Sequence, residues 1–277
     1  MPFQIAFISG TGMTGFFSGN SDLKLSVKSI QTPYGEVRYH EIHDNRNHLD
    51  FIWVDRHNAT GEFLLPHQIE HRAYMWALAK LGVQFVFATS AVGGINGNTA
   101  EKLSPGMLIL PEDYIDTTGC SYTFSRKKAF SRKKAFTHDT AFHRSLNPSF
   151  CPHLRKMLAF FQGGILGCCI TGPKYETGPE ARFLKSLGAS LAAMPTVVGE
   201  IPLATEASIH YVAICIITNM LLEDEHPDPK EVAKVVQRQK QILLERVLET
   251  MRQLSTGQRP ECNCTKTPSV FEITGKW

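Results

Sequence analysis

Short apolar runs alternate with helical patterns from residue 84 onward. Residues 84–89, 165–171 and 211–218 are apolar and lead into small or polar residues, as strands of a buried sheet do. Residues 230–254 repeat their apolar positions with the spacing of a long amphipathic helix. This alternation is typical of α/β proteins. We therefore predict an α/β fold with a central mixed β-sheet flanked by helices.

No shift in composition marks a boundary between domains. We predict one domain over residues 1–255 and a loosely ordered tail over residues 256–277, where Pro, Cys and Thr are frequent. The N-terminal residues lack the basic start of a signal peptide, and no stretch approaches the ~20 apolar residues that span a bilayer. We expect a cytoplasmic protein with no membrane partner.

The first predicted strand, residues 3–9, leads into a glycine-rich turn. Its letters from Gly10 to Gly15 match the dinucleotide-binding fingerprint G-x-G-x-x-G. That fingerprint needs a helix at its last glycine, and residues 16–21 are poor helix formers. A turn whose amides surround a small anion fits this sequence better. Residues 24–30 and 37–42 follow as a predicted hairpin.

Two further motifs suggest alternative functions. His67, Glu70 and His71 fit the H-x-x-E-H zinc-peptidase pattern, but five-letter patterns arise by chance and no further ligand is evident. Residues 125–130 are repeated without change as residues 131–136, giving a basic loop that could touch nucleic acid. A net charge of +3 does not favour a nucleic-acid partner, so we predict that the repeated segment is a surface insertion. For the H-x-x-E-H pattern we predict no bound metal.

The seven cysteines are an odd number, scattered along the chain, and two lie in apolar strands. This usage is typical of reduced, buried thiols. Cys262 and Cys264 form a C-x-C pair, which is either redox-active or simply part of the loose tail.

Polar or glycine-rich segments follow several predicted strands, where ligands collect in open α/β sheets. One group suits an anion: the turn at Gly10–Gly12, Arg56 with His57, and Ser90 with Ala91. Another suits a planar heterocycle: Tyr175, Glu176 and Asn219. An anion beside a heteroaromatic ring is what phosphorolysis of a nucleoside requires.

The order and spacing of these segments resemble the trimeric purine nucleoside phosphorylase and methylthioadenosine phosphorylase family over nearly the whole chain. The matching segments are Ser9–Met13, Arg56-His57, Ala88–Gly94, Thr171–Thr177, Glu180–Leu184, Leu187-Gly188, Met194–Val197 and Ile217–Asn219.

The resemblance implies a pentosyltransferase that uses inorganic phosphate as co-substrate and needs no cofactor. It also implies a homotrimer with sites near the subunit interfaces. The phosphate-site residues implied by position are Thr11, Arg56, His57, Ser90, Ala91 and Thr196. The implied nucleoside-site residues are Tyr175 against the base, Met194 under the ribose, Glu176, Asn219, Leu221, Val232, and His143 lent to the neighbouring subunit. Asn219, Glu176 and His57 are the implied catalytic residues.

The base-site pair favours a 6-oxopurine such as hypoxanthine or guanine. Glu176 can accept the N1–H of a 6-oxopurine, and adenine has no proton there. The adenosine-type branch usually has Ser and Asp at positions 176 and 219, with a second Asp where Leu221 stands. His143 and the apolar Val232 are also compatible with a methylthio sugar. S-methyl-5'-thioinosine and S-methyl-5'-thioadenosine are therefore alternative substrates.

Several positions near the predicted phosphate site depart from the family pattern. Pro195 replaces a Ser or Thr that gives phosphate a hydroxyl and an amide, and Thr196 is the available substitute. Residues 198–200 read Val-Gly-Glu in place of Pro-Glu, and Glu70-His71 replaces Asn-Tyr. We expect altered phosphate handling, with a phosphate-independent hydrolase or a nucleoside-binding pseudoenzyme as remote alternatives.

Overall fold

The computed structural model describes residues 4–13, 15–18, 21–124, 148–222, 228–257 and 260–265. The duplicated segment 125–136 and His143 lie outside this set, so the predictions made for them stay predictions.

The strands of the described residues form one eleven-stranded sheet. They are β1 (Ile5–Ser9), β2 (Leu23–Thr32), β3 (Gly35–Asp44), β4 (Leu49–Asp55), β5 (Phe85–Gly94), β6 (Leu108–Leu110), β7 (Asp113–Asp116), β8 (Phe161–Gln162), β9 (Ile165–Cys168), β10 (Leu191–Ala192) and β11 (His210–Met220).

The centre of the sheet is parallel and its edges are mixed. Strand β1 lies between β4 and β5 and is parallel to both, and β11 runs parallel to β5 along its length. The hairpin β2–β3 extends one edge through antiparallel pairing of β3 with β4. Beyond β1, the last residues of β5 pair with β10, which leads to β9 and β7. The predicted mixed sheet is confirmed.

Five α-helices and two short 3₁₀ turns cover the sheet within the described residues. The helices are α1 (His71–Lys80), α2 (Pro152–Leu158), α3 (Gly178–Ser186), α4 (Val197–Glu206) and α5 (Pro229–Ser255), and the turns are Arg56–Asn58 and Pro66–Gln68. No helix within the described part of the chain is long and apolar enough to cross a membrane.

The sheet is buried on both faces. Alternate residues of β1 show this, because Ala6 and Ile8 belong to one apolar cluster and Ile5 and Phe7 belong to another. Helices α1 and α4 contribute to the first cluster, and α2 and α5 contribute to the second. The chain is therefore a single α/β domain with its helices packed against a central sheet, as the alternation predicted.

Helix α1 begins only at His71, the last residue of the H-x-x-E-H pattern. A separate 3₁₀ turn, Pro66–Gln68, comes first, and Glu70 caps α1 by accepting a hydrogen bond from the Arg72 amide at 3.2 Å. His67 is exposed in the 3₁₀ turn, while His71 is buried at the first position of α1. The two histidines do not share a helix face, so the H-x-x-E-H interpretation loses its geometric basis.

His71 packs against Gly199 of α4. A Cβ atom added to Gly199 would stand 2.8–2.9 Å from three atoms of the imidazole ring, closer than real side chains approach. Two departures from the family pattern, His71 and the Val-Gly-Glu segment, are therefore in contact and accommodate each other. Burial lowers the pKa of His71 to about 4, so the ring is neutral at physiological pH.

We predict that Gly199→Ala destabilises the protein, although alanine favours helices by about 1 kcal/mol. The overlap with His71 should lower the free energy of unfolding by about 1–3 kcal/mol. Urea unfolding measures this, and Gly178→Ala in α3 is the matched control, since its nearest neighbour would lie at 3.4 Å. The double variant His71→Ala with Gly199→Ala should recover part of the lost unfolding free energy, because the overlapping ring is gone. Equal stability of Gly199→Ala and wild type would contradict the prediction.

Candidate active site

The glycine-rich segment after β1 forms consecutive turns. The Met13 amide donates to the Gly10 carbonyl at 3.1 Å, and the Phe16 amide donates to the Met13 carbonyl at 3.0 Å. Residues 15–18 continue as turns, so the helix that a dinucleotide fingerprint requires is absent from this described stretch. A Cβ at Gly10 would lie 2.4 Å from the Thr89 carbonyl oxygen, which explains why glycine is needed there.

Arg56 lies fully buried beneath this turn. Its guanidinium donates to the Glu200 carboxylate through Nε at 2.5 Å and Nη2 at 3.1 Å, and to the Thr89 carbonyl through Nη1 at 2.9 Å. Burial opposes the charge of both partners, but their mutual attraction raises the pKa of Arg56 and lowers the pKa of Glu200 relative to their ordinary values. Arg56 is thus a fixed positive charge whose position the protein determines.

Two tyrosines complete the shell around Glu200. The hydroxyl of Tyr74 in α1 donates to Oε1 at 2.6 Å, and that of Tyr211 in β11 donates to Oε2 at 2.5 Å. Sequence reasoning did not assign Thr89, Tyr74 or Tyr211, nor a role to Glu200. The sequence does contain an indication for Glu200, because a lone carboxylate in the apolar segment 197–204 needs a buried cation as its partner.

His57 joins Arg56 in the 3₁₀ turn after β4 and reaches Thr11. Its Nδ1 lies 2.8 Å from the Leu64 carbonyl oxygen, so this nitrogen carries the proton. Burial is the main reason that the pKa of His57 is lowered, and the neutral ring leaves Nε2 free to accept. Nε2 lies 3.1 Å from the Thr11 hydroxyl oxygen, which donates to it.

Two buried hydroxyl groups meet on the other side of the turn. Ser90 Oγ in β5 lies 3.2 Å from Thr196 Oγ1, at the residue preceding α4. The Thr196 amide donates to the Met194 carbonyl at 2.6 Å, so only its hydroxyl is available to a ligand. The Thr196 hydroxyl thus lies beside Ser90, one residue after Pro195, which has no hydroxyl. Ala91 is partly buried and follows Ser90 in β5.

The loop between β9 and α3 presents Tyr175 and Glu176. Its C-terminal end is fixed by a capping box, in which Thr177 and Glu180 exchange hydrogen bonds at the start of α3. Tyr175 is 40% exposed, whereas Glu176 Oε1 is buried without a hydrogen-bond partner among the described residues. Burial raises the pKa of Glu176 above its ordinary value. This oxygen is an acceptor that lacks a donor.

Asn219 lies near the end of β11, opposite Gly93 of β5. The register between these strands shifts between Ile217 and Asn219. The hydroxyl oxygen of Thr218 lies 3.1 Å from Asn219 Oδ1, and a donated bond there leaves the Asn219 NH₂ group free to act as a donor. Leu221 packs over Gly93, where a Cβ would stand 2.9 Å from Leu221 Cγ.

Met194 and Val232 are the remaining predicted nucleoside-site residues in the described part of the chain. A Cβ on Gly172, in the loop that leads to Tyr175, would lie 3.3 Å from Met194 Sδ. Val232 is buried in the first turn of α5. One turn later, Val236 contacts Gly12 of the glycine-rich turn, so this face of α5 runs alongside the site.

The structure thus brings the predicted anion-site residues together beside the carboxyl ends of β1 and β4 and the middle of β5, in three hydrogen-bonded pairs. Its links are Thr11 with His57, Arg56 with Thr89, and Ser90 with Thr196. Along β5, Ser90 and Gly93 are three residues apart, which places Asn219 about 10 Å from the hydroxyl pair. The arrangement offers hydroxyl groups and a fixed positive charge at one end and the Asn219 amide at the other.

Comparison with known proteins decides which family this arrangement belongs to. The family model described as "Phosphorylase superfamily" matches residues 52–249. The chain belongs to the phosphorylase superfamily. The predicted resemblance to nucleoside phosphorylases and the predicted enzyme class, a pentosyltransferase, are confirmed.

Relatives within this superfamily match the chain over almost its full length. A probable S-methyl-5'-thioinosine phosphorylase of Methanopyrus kandleri is 31% identical, over 95% of this chain and 97% of its own. A 6-oxopurine nucleoside phosphorylase of Pyrococcus furiosus is 28% identical, over 94% and 96%. An adenosine/methylthioadenosine phosphorylase structure from Schistosoma mansoni aligns with a TM-score of 0.74 at 22% identity, over 92% and 93%, which shows the shared fold.

We predict that Glu200→Gln lowers the free energy of unfolding by about 3–5 kcal/mol, because the Arg56 charge would stay buried without its partner. Urea unfolding measures the loss. Glu70→Gln is the matched control: Glu70 also pairs with an arginine, Arg72, but both side chains are 38% exposed. That substitution should change stability by less than about 1 kcal/mol. Similar losses of unfolding free energy in the two variants would contradict the prediction, because burial of the Arg56–Glu200 pair would then make no difference to stability.

Proposed function

We propose that this phosphorylase cleaves 6-oxopurine nucleosides with inorganic phosphate, releasing the free purine and a pentose 1-phosphate, with inosine and guanosine as preferred substrates. The observation that carries this proposal is Glu176 Oε1, a buried acceptor without a donor among the described residues. Leaving such an oxygen unsatisfied costs about 1–3 kcal/mol, which a matching ligand recovers.

A 6-oxopurine supplies the matching group. Its N1–H would donate to Glu176, whereas the N1 of adenine carries a lone pair that the carboxylate would repel. Sites built to satisfy a ligand N–H discriminate strongly against analogues that lack it. Tyr175, the exposed aromatic residue next in the chain, is proposed to pack against the base.

Asn219 is proposed to stabilise the leaving base. A phosphate oxygen forms a bond to C1′ as the C1′–N9 bond breaks, and the bonding electron pair moves onto the purine. Negative charge then develops on the ring, and a donor at N7 lowers the barrier. The Asn219 amide is suited to this, because a bond from Thr218 to Oδ1 leaves NH₂ as the donor.

The phosphate end combines hydroxyl donors with a fixed charge. Ser90 and Thr196 are proposed to donate to phosphate oxygens, together with the Ala91 amide. The Thr11 hydroxyl is proposed to join them when phosphate replaces His57 Nε2 as its acceptor. Arg56 contributes positive charge from beneath the turn while its own hydrogen bonds stay with Glu200 and Thr89. We propose that His57, neutral and held by Leu64, orients Thr11 toward the phosphate.

S-methyl-5'-thioinosine is the second candidate substrate. Its base makes the same demands on Glu176 and Asn219, so only the sugar end distinguishes it from inosine. The buried, apolar Val232 favours a methylthio group over a hydroxyl, since burying a hydroxyl there would leave it without a partner. A relative named probable S-methyl-5'-thioinosine phosphorylase supports the same reading. Assembly as a homotrimer, with His143 lent to the neighbouring subunit, is proposed from the family resemblance.

The test is base release from inosine, guanosine, S-methyl-5'-thioinosine, S-methyl-5'-thioadenosine and adenosine, each with and without phosphate. We expect the three 6-oxopurine nucleosides to be cleaved at far higher kcat/KM than the two adenine nucleosides, and only with phosphate. Hypoxanthine release at the same rate without phosphate would show a hydrolase, and no release at all would show a pseudoenzyme. Either result refutes phosphorolysis.

We predict opposite pH trends for inosine and adenosine. Burial raises the pKa of Glu176 above 4.5, so this carboxylate gains its proton at a pH where an exposed glutamate is still ionised. As the pH falls toward this raised pKa, the kcat/KM for inosine should fall, while the ratio of adenosine to inosine cleavage should rise, because a protonated Glu176 can donate to adenine N1. Initial rates from pH 8 down to about pH 5 measure both trends.

Glu176→Gln is the control for this pH dependence, since its amide does not titrate. The substrate ratio should then stay constant over the same range. An adenosine-to-inosine ratio that rises equally in wild type and Glu176→Gln would assign the effect to another group.

A further inference from the structure

Four side chains from three distant segments meet at the far end of β11 from Asn219. Cys151 precedes α2, His210 begins β11, and Cys262 and Cys264 follow α5. Each can offer one metal-binding atom, and these four atoms all lie within 4.8 Å of one another. His210 and Asn219 are nine residues apart in an extended strand, so the cluster is about 30 Å from the nucleoside site.

Three distances within the cluster are close to the edges of a metal-centred tetrahedron. Cys151 Sγ lies 3.6 Å from His210 Nδ1 and 3.7 Å from Cys262 Sγ, and Cys262 Sγ lies 3.2 Å from His210 Nδ1. Zinc bonds of about 2.3 Å to sulfur and 2.0–2.1 Å to nitrogen imply edges of about 3.8 Å between sulfurs and about 3.6 Å between sulfur and nitrogen. All seven cysteines of the chain are free thiols.

The donor set and its burial are those of a structural site. Three thiolates and one imidazole form a closed four-ligand set, which leaves no position open for a substrate. Cys151, His210 and Cys264 are buried, and Cys262 is partly buried. The thiolate is the form of cysteine that binds metals, so a bound ion would replace the thiol protons of this cluster.

Neighbouring contacts fix the direction of the ligands. The His210 ring stacks on Phe85, its partner in β5, with ring centres 5.1 Å apart, and its amide donates to the Gln84 carbonyl at 2.8 Å. The Cys151 amide donates to the Tyr211 carbonyl at 2.7 Å, which ties the first cysteine to the strand that carries the histidine. Such supports around the ligands are typical of metal sites.

We propose that Cys151, His210, Cys262 and Cys264 bind one zinc ion, which fastens the segment after α5 to the α/β core. Binding releases one proton from each thiol that is still protonated, and no oxidant or reductant is involved. The single residue between Cys262 and Cys264 is a shorter spacing than in common zinc motifs, and Cys151 and His210 complete the set from elsewhere in the fold. The proposal departs from the expectation, drawn from the sequence, that the chain holds no metal.

Metal analysis of the full-length protein tests the proposal. Protein purified with a reductant and without chelators, then dialysed against Zn²⁺ and metal-free buffer, should contain about one zinc per chain by mass spectrometry. The double variant Cys262→Ser with Cys264→Ser should lose this zinc. Cys120→Ser is the matched control, because Cys120 is exposed and outside the cluster, and it should keep the full content.

A second experiment, cobalt absorption spectroscopy on wild-type protein, tests the proposal if the double variant fails to fold. Wild-type protein stripped of metal and titrated with Co²⁺ should show thiolate-to-cobalt charge-transfer absorption and the intense visible bands of a four-coordinate ion, saturating at one equivalent. Zn²⁺ should abolish these bands. The proposal is overturned if wild type binds neither ion, if the double variant binds as much as wild type, or if peptide mapping shows Cys151 joined to Cys262 or Cys264 by a disulfide in reductant-treated protein.

Discussion

The buried ion pair between Arg56 and Glu200 is the interaction on which the architecture of the site depends. It joins the end of β4 to helix α4, and its further hydrogen bonds reach Thr89 in β5, Tyr74 in α1 and Tyr211 in β11. Two charges removed from water are tolerated only when their hydrogen-bonding groups are satisfied, and here two tyrosine hydroxyls and a carbonyl supply the remaining partners. The position of this positive charge is therefore set during folding.

The residues that depart from the family pattern in the sequence lie next to one another in the structure. His71 packs on Gly199, the residue before Glu200, and the Pro195 carbonyl contributes a hydrogen bond to His71. Thr196, next to Pro195, places its hydroxyl 3.2 Å from that of Ser90. Residues that look unrelated in the sequence thus form one rearranged region between α1 and the start of α4. This region also contains Glu200, the partner of Arg56, and a hydroxyl beside Ser90.

Structural elements that depend on neighbouring residues in the sequence were predictable, and those that depend on contacts between distant residues were not. The hairpin β2–β3 and the long helix α5 follow from alternation and helical spacing, and the structure confirms both. Strand β10, only Leu191–Ala192, has no pattern of its own, because it exists through pairing with β5 and β9. Similarly, the partners of Glu200 lie 11–144 residues away, and Cys151 lies 111 residues from Cys262. The unsatisfied oxygen of Glu176 also required coordinates, since burial cannot be read from a loop sequence.

The pairing of Asn219 with Gly93 has an evolutionary consequence. Gly93 presents no side chain toward β11, and Leu221 occupies the space where one would be. Substitutions at positions 219 and 221 therefore face backbone and do not require compensating changes in the neighbouring strand. The residues around Arg56 and Glu200 are joined by several hydrogen bonds and tolerate few substitutions, while positions 219 and 221, which we propose to face the base, are less constrained by β5. Under the proposed assignment, base preference would change through substitutions at these two positions, without a compensating change in β5.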